Sequence, residues 1–114
     1  MEMLELSLDR NELPVKLSGK TGTKNYVLRE MDGNQRDAYL SEMQKHMELQ
    51  DGKVIVTNYK GLHAMLLSLC LYEKDELVPV DVIQSLPSTA QGKLFEKAQI
   101  LNGLNLNEAQ VKND

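Results

Sequence analysis

At 114 residues the chain has the length of one domain, and an apolar content of 41% suffices for one core, an aliphatic one with six Met, four Tyr, one Phe and no Trp. A net charge of −4 disfavours a non-specific polyanion binder. The single cysteine excludes an intrachain disulfide, and no apolar run approaches the roughly 20 residues needed to span a bilayer.

Leu4, Leu6 and Leu8 alternate with Glu5, Ser7 and Asp9, a period of two that predicts a strand with one buried face. Residues 9–12 are turn-like. Leu13, Val15 and Leu17 then alternate with Pro14, Lys16 and Ser18 and predict a second strand. Pro14 has no amide hydrogen for a ladder, which places this strand at a sheet edge. A loop over 18–23 and a strand over 26–29 complete a small antiparallel meander, which needs a cover to be stable.

The pattern changes at Asp32-Gly33-Asn34-Gln35, which has capping-box form. Tyr39, Leu40, Met43 and Met47 follow at helical spacing and predict an amphipathic helix over 34–49, stopped by Asp51-Gly52. Val54-Ile55-Val56 fits a short strand or an extended linker. Residues 62–71 are apolar almost all round and predict a helix in the middle of the domain. Glu73-Lys74-Asp75 is a polar turn. Pro79 precedes a short helical turn opened by Asp81, and Pro87 leads into a second capping box over Ser88-Thr89-Ala90-Gln91. Leu94, Phe95, Ala98, Ile100 and Leu101 supply the stripe of a last helix. Gly103 stands where a left-handed C-cap residue belongs, with Leu104 as its apolar contact. Residues 105–114 are polar and are expected to form a flexible tail. The expected fold is α+β: an N-terminal antiparallel β-meander packed against three to four α-helices, in a single domain over 1–104.

No catalytic, metal or cofactor site is expected. Gly19-Lys20-Thr21 resembles the end of a phosphate-binding loop, but Pro14 occupies the position where such a loop needs its first glycine. His46 and His63 lie far apart without zinc spacing. Cys70, inside an apolar run, reads as a small buried hydrophobe with a raised pKa. Glu73, Asp75 and Glu76 cluster on a solvated turn, with nothing to tune a carboxyl pKa. Lys16, Lys20, Lys24 and Arg29 form an acid-free basic stretch, which reads as protection of exposed strands against aggregation rather than as a nucleic-acid site. The opening residues lack the basic flank and apolar stretch of a signal peptide, so a cytosolic protein is expected. What remains is surplus apolar capacity. Met31, Met43, Met47, Ile100, Leu101, Leu104 and Leu106 exceed what one face of each short helix needs. Some would cover the meander, and others would line a groove for a partner.

Several blocks carry a resemblance. Residues 66–73, Glu76-Leu77-Val78, residues 82–87 and residues 94–104, in that order, together with residues 27–39 where a strand enters the first helix, resemble the tail assembly chaperones of long-tailed bacteriophages. The resemblance covers about 26–104 and rests on packing and capping positions. It implies a non-enzymatic protein of the host cytoplasm, without cofactor and absent from the mature virion. It implies binding to the hydrophobic tape measure protein and help in recruiting tail tube subunits around it. A frameshifted longer form of the same chain is a further implied partner. Met43, Met47, Ile100, Leu101 and Leu104 are the candidate partner-binding residues. The alternative reading is a phage-encoded regulatory or adaptor module that binds protein or nucleic acid.

Overall fold

The computed structural model describes residues 2–104. They form a single α+β domain. The elements are β1 (Glu12–Gly19), β2 (Gly22–Arg29), α1 (Gly33–Gln44), β3 (Met47–Gln50), β4 (Lys53–Val56), α2 (Leu62–Leu67), β5 (Leu71–Glu73), β6 (Glu76–Leu77), α3 (Val80–Gln84) and α4 (Ser88–Leu101). A sheet of order β1-β2-β5-β6 packs through β2 against α4, α2 joins α4 to α1 and α3, and a separate β3–β4 hairpin stands beside α1.

The β-meander differs from expectation in its first strand. β1 and β2 pair antiparallel from Glu12↔Arg29 to Gly19↔Gly22, as the alternation over 13–17 and 26–29 predicts. Residues 4–8 form no strand, and Leu4, Leu6 and Leu8 are 82%, 81% and 103% exposed. Their alternation specifies two faces but supplies no partner for the backbone, and an isolated strand is unstable in water. The third member of the meander comes instead from β5, where Leu71 pairs with Leu28 and Tyr72 with Val27. The apolar run over 62–71 is therefore split. Its first six residues are α2, and the chain leaves the helix so that the Cys70 carbonyl accepts the Arg29 amide at 2.9 Å. A short apolar run alone does not distinguish a buried helix from a buried strand.

The amphipathic helix is also shorter than predicted. The Asp32–Gln35 capping box forms in full: the Asp32 side chain accepts the Gln35 amide at 2.8 Å, and the Gln35 side chain accepts the Asp32 amide at 3.0 Å. The helix ends at Gln44, however, and Met47–Gln50 turns back on Lys53–Val56 as a hairpin. Asp51 and Gly52 take φ of 51° and 77°, the left-handed conformation at both central positions that a two-residue hairpin with the twist of its strands requires. Asp-Gly therefore acts as a hairpin turn, not as a helix stop. At α4, Pro87 takes the N-cap position and the second capping box does not form. Gln91 instead donates to the carbonyls of Leu86 at 2.8 Å and Gln84 at 3.2 Å, tying α4 to α3. The C-cap matches prediction. Gly103 has φ +67°, its amide donates to Ile100, and the Leu104 amide donates to Gln99 at 2.7 Å, the paired bonds of a Schellman motif. The expected tail over 105–114, with Leu106, lies outside the described residues.

The core is aliphatic with two tyrosines. Tyr26 and Leu28 of β2, Leu66 and Leu67 of α2, Leu71, Val78, Ile83, Leu94 and Ala98 belong to it together with Met31, Tyr39 and Leu104. Asn102 is a buried polar side chain. Its Oδ1 accepts the Met31 amide at 2.7 Å, and its Nδ2 donates to the Ala98 carbonyl at 2.8 Å. Arg36 adds a third bond by donating to the Asn102 carbonyl at 2.8 Å. Together these fix the end of α4 to the entry of α1.

Candidate functional site

α1 sets one wall of an apolar groove of about 320 Å³. Tyr39 and Met43 lie one turn apart and share a helix face, and the Tyr39 hydroxyl lies 3.7 Å from Met43 Sδ. Burial raises the Tyr39 pKa above that of a free phenol. The β3–β4 hairpin forms the opposite wall with Met47, Val54, Ile55 and Val56, and α4 closes the floor with Phe95, Gln99 and, just past its end, Leu104. Leu62 and Tyr59 complete the lining at the start of α2. The lining contains no carboxylate, lysine, arginine, histidine or cysteine.

The walls are held by polar contacts behind them. The His46 carbonyl accepts the Thr57 amide at 2.8 Å, and His46 Nδ1 donates to the Asn58 carbonyl at 2.8 Å, clasping the foot of the hairpin. His63 stacks on Phe95 with ring centroids 4.5 Å apart and so fixes the ring that floors the groove. Both histidines are thus structural supports here: His46 lies in the turn after α1, and His63 is half-buried at the core's edge.

The rim carries the exposed apolar surface. By the hairpin register, Leu49 and Val54 are paired and share a face with Met47 and Val56. Leu49 and Val54 are 73% and 52% exposed, and Tyr59, at the mouth, is 71% exposed. The apolar lining therefore continues outward along the hairpin. Of the five candidate residues, the structure brings together Met43, Met47 and Leu104. Leu104 is a floor residue, nearly fully buried, so it shapes the groove from beneath. Leu101 packs against the core, and Ile100 is exposed outside the groove lining. Val54, Ile55, Tyr59, Leu62 and Phe95 were not singled out as partner-binding from the sequence. The Asp51-Gly52 hairpin signal, followed by the β-branched run Val54-Ile55-Val56, points to the first two.

The remaining hollows have other chemistry. On the outer face of β2 and β5, a shallow depression of about 520 Å³ contains Arg29, whose guanidinium lies 4.5 Å from the centre of the Tyr72 ring. Arg29 is already bonded to Glu12, and to Asp75 at 3.5 Å, so its charge is locally balanced. The basic stretch of the first hairpin does not form one patch: Lys16 faces Asn25 and Leu17 faces Lys24, which puts Lys16 and Lys24 on opposite faces. Cys70 is buried and its Sγ lies 3.4 Å from the Leu66 carbonyl; burial pushes its thiol pKa to about 12. Among the described residues, no three His, Cys, Asp or Glu side chains cluster as metal ligands, and no helix is long and apolar enough to cross a membrane.

No family model, no curated protein and no solved structure matches the chain.

Proposed function

We propose that the chain is a non-enzymatic phage tail assembly chaperone. In this reading it shields the apolar helical faces of the tape measure protein in the host cytoplasm and helps recruit tail tube subunits around it. The observation that carries the proposal is the groove between α1, the β3–β4 hairpin and α4, lined without a charged side chain and continued outward by exposed Leu49, Val54 and Tyr59. Such a groove suits the i, i+3, i+4 and i+7 side chains of an amphipathic helix, the form an unassembled tape measure protein presents. Met43 and Met47 supply unbranched, polarizable walls that repack around differing side chains, which suits a client with many similar but unequal segments. The resemblance over 26–104 is the second support. Release needs no nucleotide, because tube subunits that cover the same apolar faces displace the chaperone by mass action.

Co-expression with the tape measure protein tests the proposal. Val54→Asp and Tyr59→Asp change exposed rim positions and leave the core intact. Each is expected to move the tape measure protein from the soluble to the insoluble fraction while the variant itself stays folded and soluble. Leu104→Asp is not a clean probe, because that side chain is buried and its loss would unfold the domain. A tape measure protein that stays soluble with both rim variants, and that stays insoluble alone, would remove the groove from the mechanism.

A further inference from the structure

The segment before β1 leaves an unused strand pattern beside an unused strand edge. Met3, Leu4, Leu6 and Leu8 are all more than four-fifths exposed, and among the described residues no ladder takes up residues 2–7. β1 lies at the end of the sheet order, so one side of it is open. The backbone directions at that edge follow from two bonds. The Glu30 amide donates to the Asn11 carbonyl, and the Arg29 amide donates to Cys70, on the other side of β2. Alternation then turns the backbone groups of Leu13, Val15 and Leu17 toward β2 and those of Glu12, Lys16 and Ser18 outward. Pro14 is the one outward position without a donor.

We infer that this edge receives the leading segment of a second copy of the chain, the two copies exchanging residues 3–8 reciprocally in a two-fold dimer. Side-chain chemistry favours that occupant. A strand bearing Leu4, Leu6 and Leu8 on one face extends the row of Leu13, Val15 and Leu17, which the helices cover only in part. Its opposite face then brings Glu5 beside Lys16, an opposite-charge cross-strand pair. Six extended residues reach about 20 Å, enough to lie along most of β1. Pro14 withholds one ladder bond, which weakens the edge against indefinite stacking while leaving Glu12, Lys16 and Ser18 to pair.

The same chain's segment is held away from this edge. Arg10, about which it would have to turn back, is bonded to Asp32 at 3.2 Å and to the Tyr72 hydroxyl at 3.5 Å. Asn11 is engaged with Glu30 through both its amide and its carbonyl. No β1 residue lines the groove, so this contact leaves the groove open.

Light scattering on the full chain, over a wide range of concentration, gives the first test. The wild type is expected to show twice the monomer mass. A Leu4→Ser, Leu6→Ser, Leu8→Ser variant, changed only at exposed positions, is expected to show the monomer mass with an unaltered far-ultraviolet circular dichroism spectrum and a thermal midpoint that no longer rises with protein concentration. Crosslinking gives the second. Glu5→Cys in one copy and Lys16→Cys in a differently tagged copy are expected to form a disulfide heterodimer under mild oxidation, with buried Cys70 silent. A wild type that is monomeric throughout overturns the inference. So does a dimer that persists in the triple-serine variant. In a chain carrying both cysteines, a crosslink formed only within one chain assigns the edge to its own segment and overturns it equally.

Discussion

Replacing Asn102 by alanine removes the side chain that joins α4 to the entry of α1. In the wild type, Oδ1 accepts the Met31 amide at 2.7 Å, and Met31 is itself buried, so no water replaces the lost acceptor. A buried amide without a partner costs about 1–3 kcal/mol, and the lost bond from Nδ2 to Ala98 contributes about 1 kcal/mol at most, because the Asn102 backbone amide still reaches that carbonyl at 3.1 Å. The expected loss is about 2–4 kcal/mol, a large part of the roughly 5–15 kcal/mol that holds a domain of this size folded. Urea unfolding followed by far-ultraviolet circular dichroism measures it, with an unchanged m-value showing that the loss is in the native state. Asn102→Leu keeps the branched shape, adds volume and leaves the same orphaned amide, so it should be destabilised at least as much. A leucine variant as stable as the wild type, or an alanine variant within about 0.5 kcal/mol of it, would show that the Met31 amide finds another partner and that the join is not set by Asn102.

Further outcomes follow from local geometry and burial. Gly103→Ala puts a side chain at φ +67° and should cost about 1–2 kcal/mol in urea unfolding. Lys74 and Asp75 hold φ of 52° and 67° in the two-residue turn between β5 and β6, so Lys74→Asn should raise stability by about 0.5–1 kcal/mol, measured the same way. The Cys70 thiol, raised from 9.0 to about 12 by burial, should resist a thiol reagent in the native protein and react stoichiometrically in urea. Because the unfolded chain loses this proton first, its contribution is fully present below pH 9. Stability then falls as the pH rises from there toward about 12, by up to about 1.4 kcal/mol per unit. Tyr39, raised by burial, acts in the same direction. Cys70→Ala should make the alkaline decline shallower, as equilibrium unfolding across that range would show.

Two local signals were legible in the sequence and a third, the Ser88–Gln91 box, was displaced when Pro87 took the N-cap position, while relational signals were not legible. The Asp32–Gln35 box and the Gly103 cap are contacts within four or five residues, so side-chain chemistry alone specifies them. Pro14 identified an edge because it lacks a donor, whichever strand lies beside it. Leu4, Leu6 and Leu8 failed as a strand because alternation describes faces and says nothing of a partner. Asp51-Gly52 was misread because the same pair ends a helix or turns a hairpin, and only the pairing of Met47–Gln50 with Lys53–Val56 decides between them. The groove was half legible. Met43 and Met47 stood out as surplus apolar side chains, but Val54, Tyr59 and Phe95 join them only once α4 is laid across the hairpin. Leu101 and Leu104 were surplus on one helix face and are taken up by the core. Asn102 read as part of a helix end, and nothing in its neighbours indicates that it accepts an amide from residue 31.

The most direct measurement is the affinity of the purified protein for labelled helical peptides covering the apolar segments of the tape measure protein, followed by fluorescence anisotropy and calorimetry. The predicted result is saturable binding with a negative heat-capacity change, little dependence on salt, and at least a tenfold loss with Val54→Asp or Tyr59→Asp. Binding that disappears with added salt, or that is unchanged in both rim variants, would contradict a function based on the apolar groove.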